Sequence, residues 1–289
     1  MYIINRFLTL IWKILSAFVA TLLISCLPYL FDDFQLNMTN YFGHIIDLLQ
    51  KVVLLGEFQY ATGGDTFRPL FPTIFEALRQ SLQLIVGSLL ISGFVSIIIA
   101  IFVVNLKEKY IKIIQEILTY IQSIPDLFYI IGLQLFIVWL YKKTDIVFLN
   151  FASYGEEQAI FLPILCLSIT PTMIITKLLI NQMIEELHKN YAHLAKAKGV
   201  SSFNIIFVHI LRNTVYSLFH YSKTIILFFL TNLLIVEYLF NIPGVMSFLL
   251  NYPFPDVFFI SLLLLYYPIF LLFQLYELFV PSVIKKGEA

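Results

Sequence analysis

Charged residues are scarce in this sequence. They make up 12% of its 289 residues, whereas a soluble domain carries about 25%. Hydrophobic residues account for 60% of the chain, and 29 residues are Phe. A soluble fold of this length could not bury so much apolar surface in one core, but a bilayer can solvate it. The composition predicts an integral membrane protein, and the formal net charge of +0 gives no electrostatic support for nucleic-acid binding.

Cysteine is nearly absent, and the common catalytic motifs are missing. Cys26 and Cys166 lie in apolar runs without a Cys or His at metal-ligand spacing, so we expect buried thiols that only pack. No glycine is followed by lysine, which excludes a Gly-Lys-Ser/Thr phosphate loop. Neither a His-Glu-x-x-His zinc motif nor a Gly-x-Ser-x-Gly elbow occurs. We therefore expect no enzyme, no catalytic residue, no metal site and no cofactor bound by this chain.

Six apolar runs are long enough to cross a bilayer, which takes about 20 residues of helix. They cover residues 7–30, 78–104, 113–141, 159–181, 214–239 and 257–281. The first run contains Leu23-Ile24-Ser25-Cys26, which is similar to a lipoprotein cleavage site, but it stays apolar to Phe31. We therefore expect a retained helix. The pattern predicts an all-α membrane protein with about six transmembrane helices.

The Lys and Arg residues between these runs predict the orientation. With the N-terminus inside, the inner segments carry ten of them and the outer segments four. The inner residues are Arg6, Lys107, Lys109, Lys112, Lys189, Lys196, Lys198, Arg212, Lys285 and Lys286, and the outer ones are Lys51, Arg68, Lys142 and Lys143. Because cytoplasmic loops are enriched in Lys and Arg, we expect both termini in the cytoplasm of a multi-pass cell-membrane protein.

One membrane domain, residues 1–289, is the simplest predicted organisation. It comprises a first helix at 1–30, an extracellular segment at 31–77 and a five-helix core at 78–289. The segment 31–77 is long enough to fold, and Gly63-Gly64 is a turn signal within it. The polar connection at 182–213 is rich in good helix formers and is predicted to be helical.

The connection at 182–213 is predicted to contain a short helix, a sharp turn and a second helix. Gly199 provides the turn because glycine adopts a positive φ without steric cost, and Ser201 or Ser202 can cap the helix that follows. The small residues before the turn are Ala192, Ala195 and Ala197. Small residues beside a tight turn let another protein approach the backbone, which suits a docking surface. A solvated amphipathic connector is the alternative.

The same connection resembles the cytoplasmic loop of binding-protein-dependent ABC importer permeases, and more narrowly of their oligopeptide, dipeptide and nickel class. In that class the loop runs Tyr-x-x-x-Ala-x-Ala-Lys-Gly and ends His-x-Leu-Arg-Asn. The matching residues are Tyr191, Ala195, Ala197, Lys198, Gly199, His209, Leu211, Arg212 and Asn213. The resemblance implies that a separate ATPase docks on Ala192–Val200 and that His209, Arg212 and Asn213 anchor the loop.

Other stretches match the class in the same order. Val236–Val245 resembles the pattern Val-Glu-x-x-Phe-x-x-Pro-Gly-Leu, and Gln122–Asp126 resembles its Ser-Ile-Pro segment. The candidate pathway or gate residues are therefore Pro125, Asp126, Glu237, Pro243 and Gly244. Pro125 can kink its helix, and Glu237 could bond to the turn at 241–244. The fifth span carries bulky Phe residues where the class is rich in Gly, which would narrow the pathway.

The resemblance implies a type I ABC importer permease fold and a set of partners. These are a second permease subunit, two cytoplasmic ATPase subunits that bind ATP, and an extracellular substrate-binding protein. Peptide is the first expected cargo, and nickel or another metal chelate is the second. Two other classes stay open. A secondary transporter would need coupling-ion residues at the bilayer midplane and often has inverted repeats, whereas a membrane scaffold would transport nothing.

Overall fold

Long helices form most of this computed structural model, which describes residues 2–32, 35–54, 56–62, 66–155 and 157–279. The helices are α1 (Tyr2–Ser25), α2 (Met38–Val53), α3 (Thr73–Val104), α4 (Glu108–Gln122), α5 (Asp126–Thr144), α6 (Phe161–Leu187), α7 (Asn190–Ala197), α8 (Ser202–Asn204), α9 (Leu211–Leu239), α10 (Val245–Asn251) and α11 (Pro255–Phe279). Within the described residues, six helices (α1, α3, α5, α6, α9 and α11) are long and apolar enough to cross a membrane. The prediction of six membrane-spanning helices is confirmed.

The predicted extracellular segment is folded. A 3₁₀ turn at Leu27–Leu30 precedes a small antiparallel pair, β1 (Phe31–Asp32) and β2 (Gln35–Leu36). Helix α2 follows, and Asn37 caps it by accepting a hydrogen bond from the Asn40 N–H at 3.0 Å. A second antiparallel pair follows, β3 (Gln59–Ala61) and β4 (Phe67–Pro69). The predicted turn at Gly63-Gly64 lies outside the described residues.

The third predicted span, residues 113–141, is not one helix. Helix α4 ends at Gln122 and α5 begins at Asp126. Pro125 causes the break because it lacks an N–H, and its ring disfavours helical backbone at Ile124. The prediction of a kinked continuous helix was therefore wrong, and α5 alone has the length and composition of a span.

The chain forms two compact units. One consists of residues 1–79 and 244–289, and the other of residues 80–243. The single domain expected from the sequence stays a prediction.

In the first unit, α1 and α11 pack antiparallel. The rings of Phe18 and Phe259 meet edge to face with centroids 5.6 Å apart. Further along, the Tyr267 hydroxyl donates to the carbonyl of Ile14 at 2.9 Å. One apolar core joins the end of α1, the start of α11 and α2, and it includes Leu22, Cys26, Leu48, Val257 and Phe259.

Helix α6 is the central helix of the second unit, because 67% of its apolar window is buried. Helix α3 packs closely against it at Gly87, where a Cβ would lie 2.7 Å from Cδ1 of Ile164. Hydroxyls on α3 also donate to α6 carbonyls, from Ser88 to Ile164 at 3.1 Å and from Ser96 to Thr172 at 3.0 Å. Small residues and serine hydroxyls are the usual means of close packing between membrane helices. Cys166 is buried on α6 as predicted.

Candidate functional site

The turn after α7 has the geometry that the sequence predicts. Gly199 has a φ of +79°. Its N–H donates to the carbonyl of Lys196 at 3.1 Å, and the N–H of Val200 donates to the carbonyl of Ala195 at 3.2 Å. These two bonds form a Schellman motif, which satisfies the last carbonyls of the helix. Helix α7 therefore ends in a closed, fixed turn.

A buried carboxylate holds α7 against the end of α6. Glu186 lies in the last turn of α6, and its oxygens accept hydrogen bonds from Lys189 Nζ at 2.5 Å and from the Tyr191 hydroxyl. The Asn213 amide donates to Glu186 at 3.4 Å and to the Tyr191 hydroxyl at 3.3 Å. Because Asn213 belongs to α9, one carboxylate connects α6, α7 and α9. We call Glu186, Lys189, Tyr191 and Asn213 the Glu186 network.

This arrangement further stabilises the neutral form of the Tyr191 hydroxyl. Desolvation of the phenol, together with its hydrogen bond to the Glu186 carboxylate, raises the pKa of Tyr191 to about 12. A neutral hydroxyl can donate to the carboxylate and accept from Asn213 at the same time.

The surface of the loop around Gly199 is exposed to solvent. Ala192 is buried, whereas Lys196, Ala197, Lys198 and Gly199 are exposed. Nothing lies within 4 Å of a Cβ built on Gly199, so the turn projects into open space. Leu194 is also exposed, by 59%.

The second helix of the loop begins as predicted. The Asn204 N–H donates to the Ser201 hydroxyl at 3.3 Å, so Ser201 is the capping residue. A π-helical turn at Ile205–Ile210 then leads into α9, and this turn was not predicted. Such turns are uncommon and often mark functional positions. The rings of Phe203 and Phe207 stack on its exposed side with centroids 5.8 Å apart.

The three predicted anchoring residues have different environments. Asn213 belongs to the Glu186 network. His209 and Arg212 are exposed, and within the described part of the chain no side-chain hydrogen bond or ion pair is found for either. Their anchoring role stays a prediction.

Three polar contacts connect α6 to α4 and α5. The Thr170 hydroxyl donates to the carboxylate of Asp126, Lys177 Nζ donates to the Thr119 hydroxyl at 2.8 Å, and the Gln115 amide donates to Asn181 at 2.7 Å. Spacings of seven and four residues place Thr170, Lys177 and Asn181 on one side of α6. We call these three pairs the polar ladder. Of the residues in the ladder, Asp126, at the start of α5, was predicted from the sequence as a candidate pathway residue.

The other candidate gate residues lie near the end of α9. The carboxylate of Glu237 accepts a hydrogen bond from the Ser81 hydroxyl at 2.5 Å. The following turn is held by backbone, since the Ile242 N–H donates to the carbonyl of Glu237 at 2.8 Å. Pro243 is exposed, and Gly244 is buried at the N-cap of α10. A bond from the Glu237 side chain to this turn stays a prediction, as do the gate roles.

Sequence reasoning missed Glu186, Lys177 and the other members of the ladder. A Glu-Glu pair at 185–186 ends the α6 run, but the pattern does not say which of the two is buried. In the structure Glu185 is exposed and Glu186 is buried. Within the described ranges, no group of three or more His, Cys, Asp or Glu residues is arranged to hold a metal ion.

Six membrane-length helices joined by structured loops define a multi-pass membrane protein. Comparison with known protein families shows which family the chain belongs to. Residues 92–285, about two thirds of the chain, match the family described as binding-protein-dependent transport system inner membrane component. The chain belongs to this family, which has the type I ABC importer permease fold.

Individual relatives match over shorter stretches. The chain is 28% identical over 123 residues to the dipeptide transport system permease protein DppB of Lactococcus lactis, covering 43% of this chain and 39% of that protein. It is 36% identical over 93 residues to DppB of Bacillus subtilis, covering 32% and 30%. For the oligopeptide transport system permease protein OppB of Haemophilus influenzae the identity is 32%, covering 31% and 29%. The matched stretches thus span less than half the length of these relatives.

Proposed function

We propose that this chain is the pore-forming subunit of an ATP-driven peptide importer and that separate ATPase subunits dock on the loop at Ala192–Val200. The observation that carries the proposal is the closed, exposed turn at Gly199, fixed to the end of α6 by the Glu186 network. A partner that moves this turn also moves α6, because the turn ends α7, and Tyr191 of α7 is hydrogen-bonded to the Glu186 carboxylate of α6. The transition is then a rigid-body movement of packed helices.

The distribution of positive charge supports a cytoplasmic docking loop. The break between α4 and α5 leaves six spans, so the assignment of inner and outer segments is unchanged. Ten Lys and Arg residues then lie in inner segments and four in outer ones. Both termini and the loop at 182–213 are cytoplasmic in this arrangement.

The polar ladder supports a water-filled pathway beside α6. Lys177 and Asp126 both lie in membrane-length helices, where a charge that faces lipid costs about 3 kcal/mol or more. Thr119 and Asn181 are exposed in the isolated chain. Such residues face a cavity or a partner rather than lipid, so we assign this side of α6 to the pathway shared with a second permease subunit.

Peptide is the proposed cargo because the relatives are named as dipeptide and oligopeptide permeases. ATP is bound and hydrolysed by the two partner ATPase subunits, and this chain holds no cofactor of its own. An extracellular binding protein delivers the peptide to the outer face. One candidate contact is a cavity of about 600 Å³ within the first unit, lined among others by His44, Asp47, Gln59 and Phe254.

Affinity purification from native cells tests the docking claim. Tagged wild type is extracted in mild detergent beside Gly199→Trp and Gly155→Trp. Both glycines have positive φ and open space around them, but Gly155 lies in a predicted outer loop. We expect an ATPase to be recovered with wild type and with Gly155→Trp, and to be lost with Gly199→Trp. Recovery that is equal for all three would overturn the assignment of the docking surface.

Flux measurements in proteoliposomes separate the importer from its alternatives. We expect peptide uptake only when the ATPase, the second permease and ATP are present together with this chain. Uptake by this chain alone would identify a secondary transporter. No uptake in any combination, with a correctly assembled complex, would identify a scaffold.

A further inference from the structure

Helix α2 has three different faces. Leu48 is fully buried, and Tyr41, Ile45 and Val52 pack beside it against the core of the first unit. The polar residues Asn40, His44, Asp47 and Lys51 form a second face. The third face is apolar but uncovered, and its members are between 46% and 69% exposed: Met38, Phe42, Ile46, Leu49 and Val53. Spacings of three and four residues place these five on one continuous stripe. We call it the α2 stripe.

Two contacts fix where α2 lies relative to the membrane-length helices of its own unit. Near its start, the Tyr41 hydroxyl donates to the carbonyl of Leu23, at 3.0 Å, within the last turn of the α1 span. Near its end, Lys51 Nζ lies 2.7 Å from a carboxylate oxygen of Asp256, at the beginning of the α11 span. Each end of α2 is therefore attached at the end of a membrane-length helix.

These two attachment points lie at similar depths. Since α1 and α11 are antiparallel, residue numbers fall on one as they rise on the other, and Phe18 lies beside Phe259. Leu23 lies five residues beyond Phe18, and Asp256 lies three residues before Phe259, so both lie further in the same direction at depths that differ by about 3 Å. Tyr41 and Lys51 are ten positions apart, which is about 15 Å along the helix. A helix held at similar depths at two points this far apart lies nearly parallel to the membrane surface.

Exposed apolar side chains also lie at the end of α1, where Tyr41 of α2 is attached. Leu23 and Ile24 in the last turn of α1, and Leu27 in the 3₁₀ turn that follows, are 40–49% exposed. The stripe carries no charged residue, and the polar face begins next to it at Thr39, Gly43 and Gln50. Amphipathic helices that lie in the membrane interface have this division into an apolar and a polar side. Lys51 forms an ion pair with Asp256 and so does not bind lipid headgroups. Attachment to α1 holds the helix at the membrane without that electrostatic attraction.

We propose that α2 is an interfacial helix whose stripe of Met38, Phe42, Ile46, Leu49 and Val53 is immersed in the lipid at the membrane surface. The α2 helix would thereby hold the folded segment at 31–77 at a fixed height relative to the membrane surface. Its polar face would remain in water. The proposal uses the membrane-spanning fold alone and does not rest on the importer function.

Single-cysteine labelling tests this placement in the intact complex. Ile46→Cys and its neighbour Asp47→Cys are labelled with an environment-sensitive fluorophore, and the complex purified from native cells is placed in nanodiscs. Half of the nanodiscs contain phosphatidylcholine brominated near the headgroup. A second pair, Phe42→Cys and Gly43→Cys, keeps the test decisive if one variant does not fold. The native cysteines are buried, so unsubstituted protein serves as the background control.

We expect labels at positions 42 and 46 to emit at shorter wavelength and to be quenched by bromolipid several-fold more than labels at 43 and 47. Equal quenching within both pairs would overturn the proposal. It would also be overturned if labels at 42 and 46 were shielded from water but not quenched by bromolipid, since a protein partner would then cover the stripe.

Discussion

Two carboxylates attach two of the non-spanning helices, α7 and α2, to their respective units. Glu186 accepts hydrogen bonds from Lys189 and Tyr191, which follow it by three and five residues. Asp256 accepts from Lys51 and from the Gln59 N–H, which are 205 and 197 residues away. The first attachment is mostly local in sequence, whereas the second depends on the whole unit being folded. We therefore expect the α7 attachment to depend on one side chain, and the α2 attachment to be shared with an apolar core.

Of the substitutions that test this comparison, we expect the largest loss of stability from replacing Glu186. Glu186→Gln removes the charge that accepts from Tyr191 and Lys189, and leaves buried polar groups imperfectly paired. We expect a local loss of about 3 kcal/mol, seen as faster amide hydrogen exchange at 190–200 and loss of the co-purified ATPase. The exposed neighbour is the control, since Glu185→Gln should change neither. Unchanged exchange in Glu186→Gln would show that the carboxylate does not hold α7.

The turn itself is tested by a pair of glycine variants. Gly199→Ala forces a Cβ into a left-handed conformation and should destabilise the turn by about 1–2 kcal/mol. Gly93 lies within α3 with open space around it, so Gly93→Ala should be neutral or stabilising by up to about 1 kcal/mol. Amide exchange at Gly199 and Val200 gives the readout for the turn. Equal effects of the two substitutions on stability would argue against the Schellman geometry.

Replacing Asp256 should have a smaller effect than replacing Glu186. Asp256→Asn removes the ion pair with Lys51, whose side chain is 41% exposed, while the apolar core around Leu48 remains. We expect a loss of about 1 kcal/mol, confined in amide exchange to the end of α2 and to β3. Asp47→Asn, at an exposed position of the same helix, is the control. Release of all of α2 by Asp256→Asn would show that the core does not share in its attachment.

The last expected effect is a dependence on alkaline pH, which appears only above the physiological range. The pKa of Tyr191 is raised from 10.0 to about 12, so the folded loop favours the protonated phenol. Its contribution to stability is complete below pH 10 and is lost as the pH rises from 10 to 12. The ultraviolet absorbance of tyrosinate in wild type minus Tyr191→Phe measures this titration, with Tyr154→Phe at an exposed tyrosine as the control. A titration of Tyr191 centred near pH 10 would contradict the network.

Local patterns in the sequence predicted the features that depend on neighbouring residues. The apolar runs predicted all six spans, and Gly199 with Ser201 predicted the turn and the cap in the loop at 182–213. These features follow from the local properties of the chain, namely helix length in lipid, positive φ at glycine and hydrogen bonding by a serine hydroxyl.

Features that depend on distant residues were not predictable in the same way. The burial of Glu186 rather than Glu185, the pairing of Lys177 with Thr119 and the attachment of α2 through Asp256 all depend on how helices pack. The break at Pro125 was predicted only in part. The proline was recognised, but a kink within one helix was expected, and the structure has a helix end there. An apolar run indicates a span but does not show whether a proline divides it.

The most direct test of the docking claim is photo-crosslinking in native membranes. A photoreactive phenylalanine analogue replaces Leu194, which is 59% exposed on α7, or Tyr154, which is 88% exposed in the predicted outer loop. We predict a crosslink from position 194 to a protein with a Gly-Lys-Ser/Thr phosphate loop, and none to that protein from position 154. A crosslink to such an ATPase from position 154 but not from 194 would contradict both the docking surface and the orientation.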